Sequence, residues 1–105
     1  MFPQPKSLVV EVVEVKGYCP TYQIGDQFRI EEGYKLVSSK PICLHALQGI
    51  TPYYIPLSLG ISPHDLGLAS KDSDQSSKDA YFQCQDPEQI TGGGNVIFKV
   101  HIMEK

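Results

Sequence analysis

Apolar positions change their spacing twice along the chain, and the changes mark three stretches. Residues 7–16, SLVVEVVEVK, are Val-rich and apolar on both faces until Glu11 and Glu14 intervene. A β-branched run of this kind favours a strand, since restricted χ1 costs less on a pleated sheet than in a helix. It predicts a strand buried on both faces for part of its length. Gly17-Tyr18-Cys19-Pro20 ends that strand, because Pro20 has no N–H to give to a ladder. TYQIGDQFRI, residues 21–30, predicts a strand pair turning at Gly25-Asp26. A Gly-first two-residue turn would set Tyr22 and Ile24 on the opposite face from Phe28 and Ile30. A three-residue loop pairing Ile24 with Phe28 unites the apolar face, and the face outweighs the turn type.

The middle of the chain takes on a helical period, broken by prolines. Pro41 suits the opening of a helix, and Cys43, Ala46, Leu47 and Ile50 then share one face. Gly49 is placed to cap its C-terminus. A second short helix is expected from Thr51-Pro52 toward Leu59, irregular at Pro56 and stopped by Gly60. Ser62-Pro63-His64-Asp65 has the form of a capping box. SKDSDQSSKD, residues 70–79, is a polar run expected to be an exposed loop. Ala80 to Cys84 fits a short strand. In NVIFKVHIM the residues Val96, Phe98, Val100 and Ile102 alternate with Ile97, Lys99, His101 and Met103, which predicts a last strand with one strongly apolar face. Strands, a helical middle and strands again define an α+β domain: a small, partly rolled, mainly antiparallel sheet packed by short helices from the middle of the chain.

Composition narrows the functional classes. The 105 residues leave room for one domain, 1–105, and 41% hydrophobic with 20% charged residues suits a soluble globular protein. Apolar runs fall far short of a bilayer span and no signal-peptide pattern is visible, so no membrane association and a cytoplasmic location are expected. A formal charge of −3, without a Lys/Arg cluster, argues against nucleic acid as a partner. An exposed sheet edge leaves room for a homo-oligomer, though nothing demands one. The three cysteines cannot all pair within the chain and are expected as reduced thiols.

Cys19, Cys43, Cys84 and His45 are the strongest constellation. Thiolates and imidazole suit zinc or another thiophilic metal, and this set could close a Cys3His centre. The spacing runs against it, because the cysteines are 24 and 41 positions apart where structural zinc sites offer paired ligands. If ICLHAL, residues 42–47, is extended, Cys43 and His45 point to the same side. If a helix begins at Pro41 they diverge by roughly 200°. The apolar spacing favours the helix, and with it a reactive thiolate at Cys43 in the first turn. Against both stands the ordinary role of cysteine as a small buried hydrophobe. His64 fits a helix first turn and His101 the polar face of a strand. Asp26, Asp86 and Glu88 are weaker candidates, for acid–base work only if carboxylates meet in space, and Asp26 and Asp86 most simply serve turns. Gly92-Gly93-Gly94 precedes a strand, whereas phosphate loops precede a helix, so it is read as a turn.

Four ordered motifs, GYCPTYQIGD, ICLHAL, YFQCQDP and GGGNVIF, span nearly the whole chain. Together they resemble a family of small uncharacterised prokaryotic proteins with the pattern G-x-C-P-x-Y-x-x-G-D, I-C-x-H-A, Q-C-x-D-P and G-G-x-V-I-F. The resemblance implies no activity, cofactor or catalytic residue, and directs attention to Cys19, Cys43, His45, Cys84 and Asp86. The loop 70–79 is longer than that pattern leads one to expect. Three functions stand as expectations. The preferred one is a metal-binding domain whose thiolate site is formed by Cys19, Cys43 and Cys84 with His45. The others are a reactive-thiol protein centred on Cys43, and a non-catalytic interaction module using Tyr18, Tyr22, Tyr53 and Tyr54. No substrate, small-molecule ligand or catalytic residue can be named from sequence.

Overall fold

The structure is a computed structural model, and it describes residues 4–19, 21–72, 78–84, 90 and 93–103. Five strands form one open antiparallel sheet in the order β3-β2-β1-β5-β4. They are β1 (Leu8–Lys16), β2 (Gln27–Glu31), β3 (Lys35–Val37), β4 (Ala80–Gln83) and β5 (Asn95–Ile102). Two short helices, α1 (Leu44–Ile50) and α2 (Tyr54–Ser58), come from the middle of the chain. The fold is α+β, as the patterning leads one to expect.

The Val-rich first stretch is the central strand, paired with β2 on one side and β5 on the other. Its alternation is strict at first: Leu8, Val10 and Val12 are buried, while Val9 and Glu11 are half-buried. The expected burial on both faces is therefore replaced by one packed and one open face, the usual condition of an antiparallel sheet. On the open face Glu11 faces Lys99 at 3.7 Å and Arg29 meets Glu31 at 3.2 Å. The packed face joins Leu8, Val10 and Val12 to Phe28, Ile30, Phe82, Val96, Phe98 and Val100, under Ala46 and Ile50 of α1 and Leu57 of α2. Phe98 is fully buried, with Tyr22 edge-on at 5.3 Å and Phe28 at 6.5 Å. Large apolar side chains buried in this way stabilise by about 1.5–3 kcal/mol each, which is what holds helices this short in place.

Three local expectations need correction. Residues 21–30 are not a hairpin: only Gln27–Glu31 is a strand, and it pairs with β1 and β3. Ile24 is 68% exposed and Tyr22, not Ile24, enters the core. A turn consumes the polar backbone instead, with Asp26 N–H donating to the Gln23 carbonyl and Gln23 N–H to Asp26 Oδ2. The helix α1 begins at Leu44, and Cys43 is its extended N-cap, with φ −76° and ψ 128°. Gly49 lies inside that helix and Thr51 caps it. Strand β3 had no visible signal, since three residues are too few to show a period. It is reached through Glu32 and Gly33, both with positive φ, in the manner of a tight hairpin turn. The Ser62 segment runs through successive turns, the Ser62 carbonyl accepting the Asp65 N–H at 3.0 Å and the His64 carbonyl the Gly67 N–H at 3.2 Å, and does not form a regular helix.

Candidate functional site

Three chain segments meet over the start of β5. The first is the loop after β1, the second the approach to α1, the third the connection from β4 to β5. Together they enclose a hollow of about 440 Å3 whose walls include Cys19, Cys43, Cys84 and His45. Tyr22, Ala46 and Val96, all buried, form its floor. Tyr18, 72% exposed, stands at its edge. Thus the four candidate ligands, remote in sequence, share one concavity.

Each cysteine is placed for a local reason. Cys19 sits in the loop that Gly17 opens with φ 75°, and its sulfur accepts the Tyr22 N–H at 3.4 Å. Cys43 is held by its own N–H, which donates to the Tyr22 hydroxyl oxygen at 3.0 Å. Cys84 comes directly after β4; its N–H donates to the Val96 carbonyl at 3.0 Å, continuing the β4–β5 ladder. Its thiol donates toward Asn95 Oδ1 at 3.5 Å and the Gly94 carbonyl at 3.7 Å. All three are free and half-buried.

Gly94 lets the third segment join the first. A Cβ there would lie 2.6 Å from the Tyr18 carbonyl oxygen and 2.7 Å from that of Lys16. Only a residue without a side chain allows backbone to approach backbone this closely. Gly94 is therefore a close-packing device at the thiol hollow.

Tyr22 ties the site together. Burial pushes its phenol above the ordinary value, with the Cys43 N–H pulling the other way, so it keeps its proton at neutral pH. Its oxygen accepts from Cys43, leaving the O–H as a donor beside two thiols. Sequence reading missed this role. The signal was a tyrosine three residues past a cysteine, at a position the hairpin assignment gave to a strand face.

Convergence stops short of a metal centre. Among the described residues no three His, Cys, Asp or Glu side chains are grouped closely enough to hold a metal ion. A tetrahedral site would need its sulfurs about 2.3 Å from one common point. In this arrangement Cys19 and Cys84 are instead engaged with backbone and amide partners.

The remaining candidates lie elsewhere or do other work. Asp26 closes its turn and pairs with Lys40 at 2.7 Å. The Lys40 ammonium, helped by the Gln23 N–H, holds its carboxyl below the usual range. It does not line the thiol hollow. Asp86 and Glu88 lie outside the described residues, as does Pro20. The tyrosine contact surface is not formed as expected: Tyr22 is a core residue and Tyr53 packs on Phe82, with ring centroids 5.8 Å apart. Among the described residues no helix is long and apolar enough to cross a membrane.

Comparison of the chain with family models, with curated proteins and with solved structures yields no match to any of them. The site must be read from its own chemistry.

Proposed function

We propose that the thiol hollow is a binding site for a small thiophilic ligand, and that the protein is a binding module built around it. One observation carries this reading: Cys19, Cys43 and Cys84, separated by 24 and 41 positions, line a single concavity together with His45. Cysteines serving only as small hydrophobes have no reason to gather at one accessible place. Their sulfurs make a soft, polarizable wall. Ala46 and Val96 supply an apolar floor, and Tyr22 supplies one fixed hydroxyl donor.

Two sources offer the required chemistry. A soft metal ion would be bound by Cys19, Cys43 and Cys84 with His45 once the three segments closed on it; such sites commonly form only as the metal binds. An organic electrophile would instead be met by a single thiol, with Cys43, whose backbone Tyr22 holds, as the candidate nucleophile.

Titration with Cd2+ in a thiol-free reductant, monitored by thiolate-to-metal absorption and by mass-spectrometric counting of N-ethylmaleimide adducts, separates the two. Near one equivalent of Cd2+ protecting all three cysteines together supports the metal. Absence of such protection, with one cysteine alkylated far faster than the others, supports the electrophile. If no Cd2+ binds and the three react independently, each as a peptide thiol of its exposure would, the hollow is not a thiol site.

A further inference from the structure

A second hollow, of about 410 Å3, opens at the other end of β5. Val96 and Ile102 are six positions apart, so about 20 Å of strand separates it from the thiol site. Its floor is apolar: Leu8, Leu57 and Val100 are buried there, and Ile61 and Ile102 extend the surface outward. Lys6 and Lys78 stand at its rim and His101 forms part of its wall.

We propose that this hollow binds an amphipathic carboxylate, with the apolar body on Leu57, Ile61 and Ile102 and the anionic head between Lys6 and Lys78. The sign of the charge selects the ligand class. The chain carries 12 acidic and 9 basic residues, yet among the described residues no Asp or Glu lines this hollow. Among the described residues neither ammonium has an ion-pair partner, whereas Lys35, Lys40 and Lys99 are all paired. An unpaired cationic rim above an apolar floor is complementary to a molecule with one anionic end.

The rim thus offers two ammonium groups for carboxylate oxygens, with no carboxylate beside them among the described residues. The Lys6 backbone is fixed by its N–H donating to the Ser58 carbonyl at 2.7 Å, which anchors one cation against the end of α2.

The site is independent of the thiol hollow, and its test is kept separate. Amide chemical shifts of the 15N-labelled full chain are tracked during titration with octanoate, with octylammonium and octanol as probes of equal chain length. Saturable shifts centred on Lys6, Ile61, Lys78 and His101 to Ile102, with octanoate bound more tightly than either control, are expected. Each of Lys6→Gln and Lys78→Gln should weaken octanoate by about two- to fivefold, as exposed charge contacts do. The loss should grow smaller as added salt screens the pair. Ile61→Ser, at a position already 45% exposed, should weaken all three probes without unfolding the chain. A variant with every cysteine replaced by alanine should bind octanoate as the parent does. Equal affinity for octanoate and octylammonium, shifts centred on the Cys84 end of the sheet, or no saturation with octanoate would each overturn the assignment.

Discussion

Tyr22 shows how much one residue decides in a chain this size. Its ring packs edge-on against Phe98 while its oxygen accepts the Cys43 N–H, so core, loop and helix start are tied at one point. Tyr22→Phe keeps the ring and leaves that half-buried N–H without an acceptor. The expected cost is about 1–2 kcal/mol, read as a lower urea midpoint at unchanged slope, with faster N-ethylmaleimide modification of Cys43. A variant as stable as the parent would show that the hydroxyl is not the tether. Asp26 gives a prediction in pH. Its carboxyl is held low, chiefly by Lys40, so the stabilising charge is fully present above the unfolded value and lost as pH falls through the lower folded one. Asp26→Asn should therefore unfold more easily than the parent by a constant margin above about pH 5. That margin should close as the pH is taken below 3.8, the ordinary carboxylate value. Urea melts of both proteins at stepped acidic pH test it, and a margin that persisted in acid would assign Asp26 a role other than charge.

At the scale of elements, the connection between β4 and β5 matters as much as the strands it joins. Gly94→Ala would drive a methyl into the Lys16 and Tyr18 carbonyls, neither of which is a flexible side chain. Overpacking of this sort costs about 1–3 kcal/mol. Thermal or urea unfolding should show the loss, and Cys84 alkylation should become independent of Cys19. Strand β5 was legible because Val96, Phe98, Val100 and Ile102 fall at every second position. Strand β1 was legible as a β-branched run, although its all-apolar start hid which face is packed, and β3 was too short to show a period. The helices were legible as a spacing but not as boundaries. Cys43, Ala46, Leu47 and Ile50 do face the same core, yet Cys43 reaches it from an extended N-cap, not from a first turn. Helical spacing cannot tell these apart, since an N-cap side chain lies over the same patch. The hairpin at 21–30 failed for a different reason. Its alternation was real, but turn hydrogen bonds and one buried ring competed for the same residues and won. Cysteine convergence was expected from residue type alone, since it depends on three loops meeting and no local pattern records that.

For the whole molecule, the register of the central strand decides where those loops meet. Between Val12 and Glu14 the pairing of β1 with β5 slips by one residue: Val12 faces Phe98, and Glu14 already faces Ile97. Val13 is the extra residue of a bulge, and a bulge sharpens the local twist and re-aims the chain beyond it. Beyond this one lie Val15, set opposite Val96 on the packed face, and then the loop bearing Tyr18 and Cys19. Deleting Val13 leaves each later partner unchanged, since Glu14 still meets Ile97 and Val15 still meets Val96, and every side chain keeps its face. The shortened strand loses only its extra twist. The deletion should therefore unfold in one cooperative step, within about 1–2 kcal/mol of the parent, because the packed pairs survive. Its thiol hollow should not survive, since the Cys19 loop would leave the strand in another direction from the Cys43 and Cys84 segments. Cd2+ titration should then fail to protect the three cysteines together, while octanoate, bound at the far end of β5, should perturb the same amides as in the parent. If the deletion variant kept the parent's joint protection, the bulge would be incidental and the loop's own turn would be what places Cys19. If it failed to fold, Val13 would be holding register and not aim, and a Val13→Gly variant, which keeps the extra residue, should then restore folding.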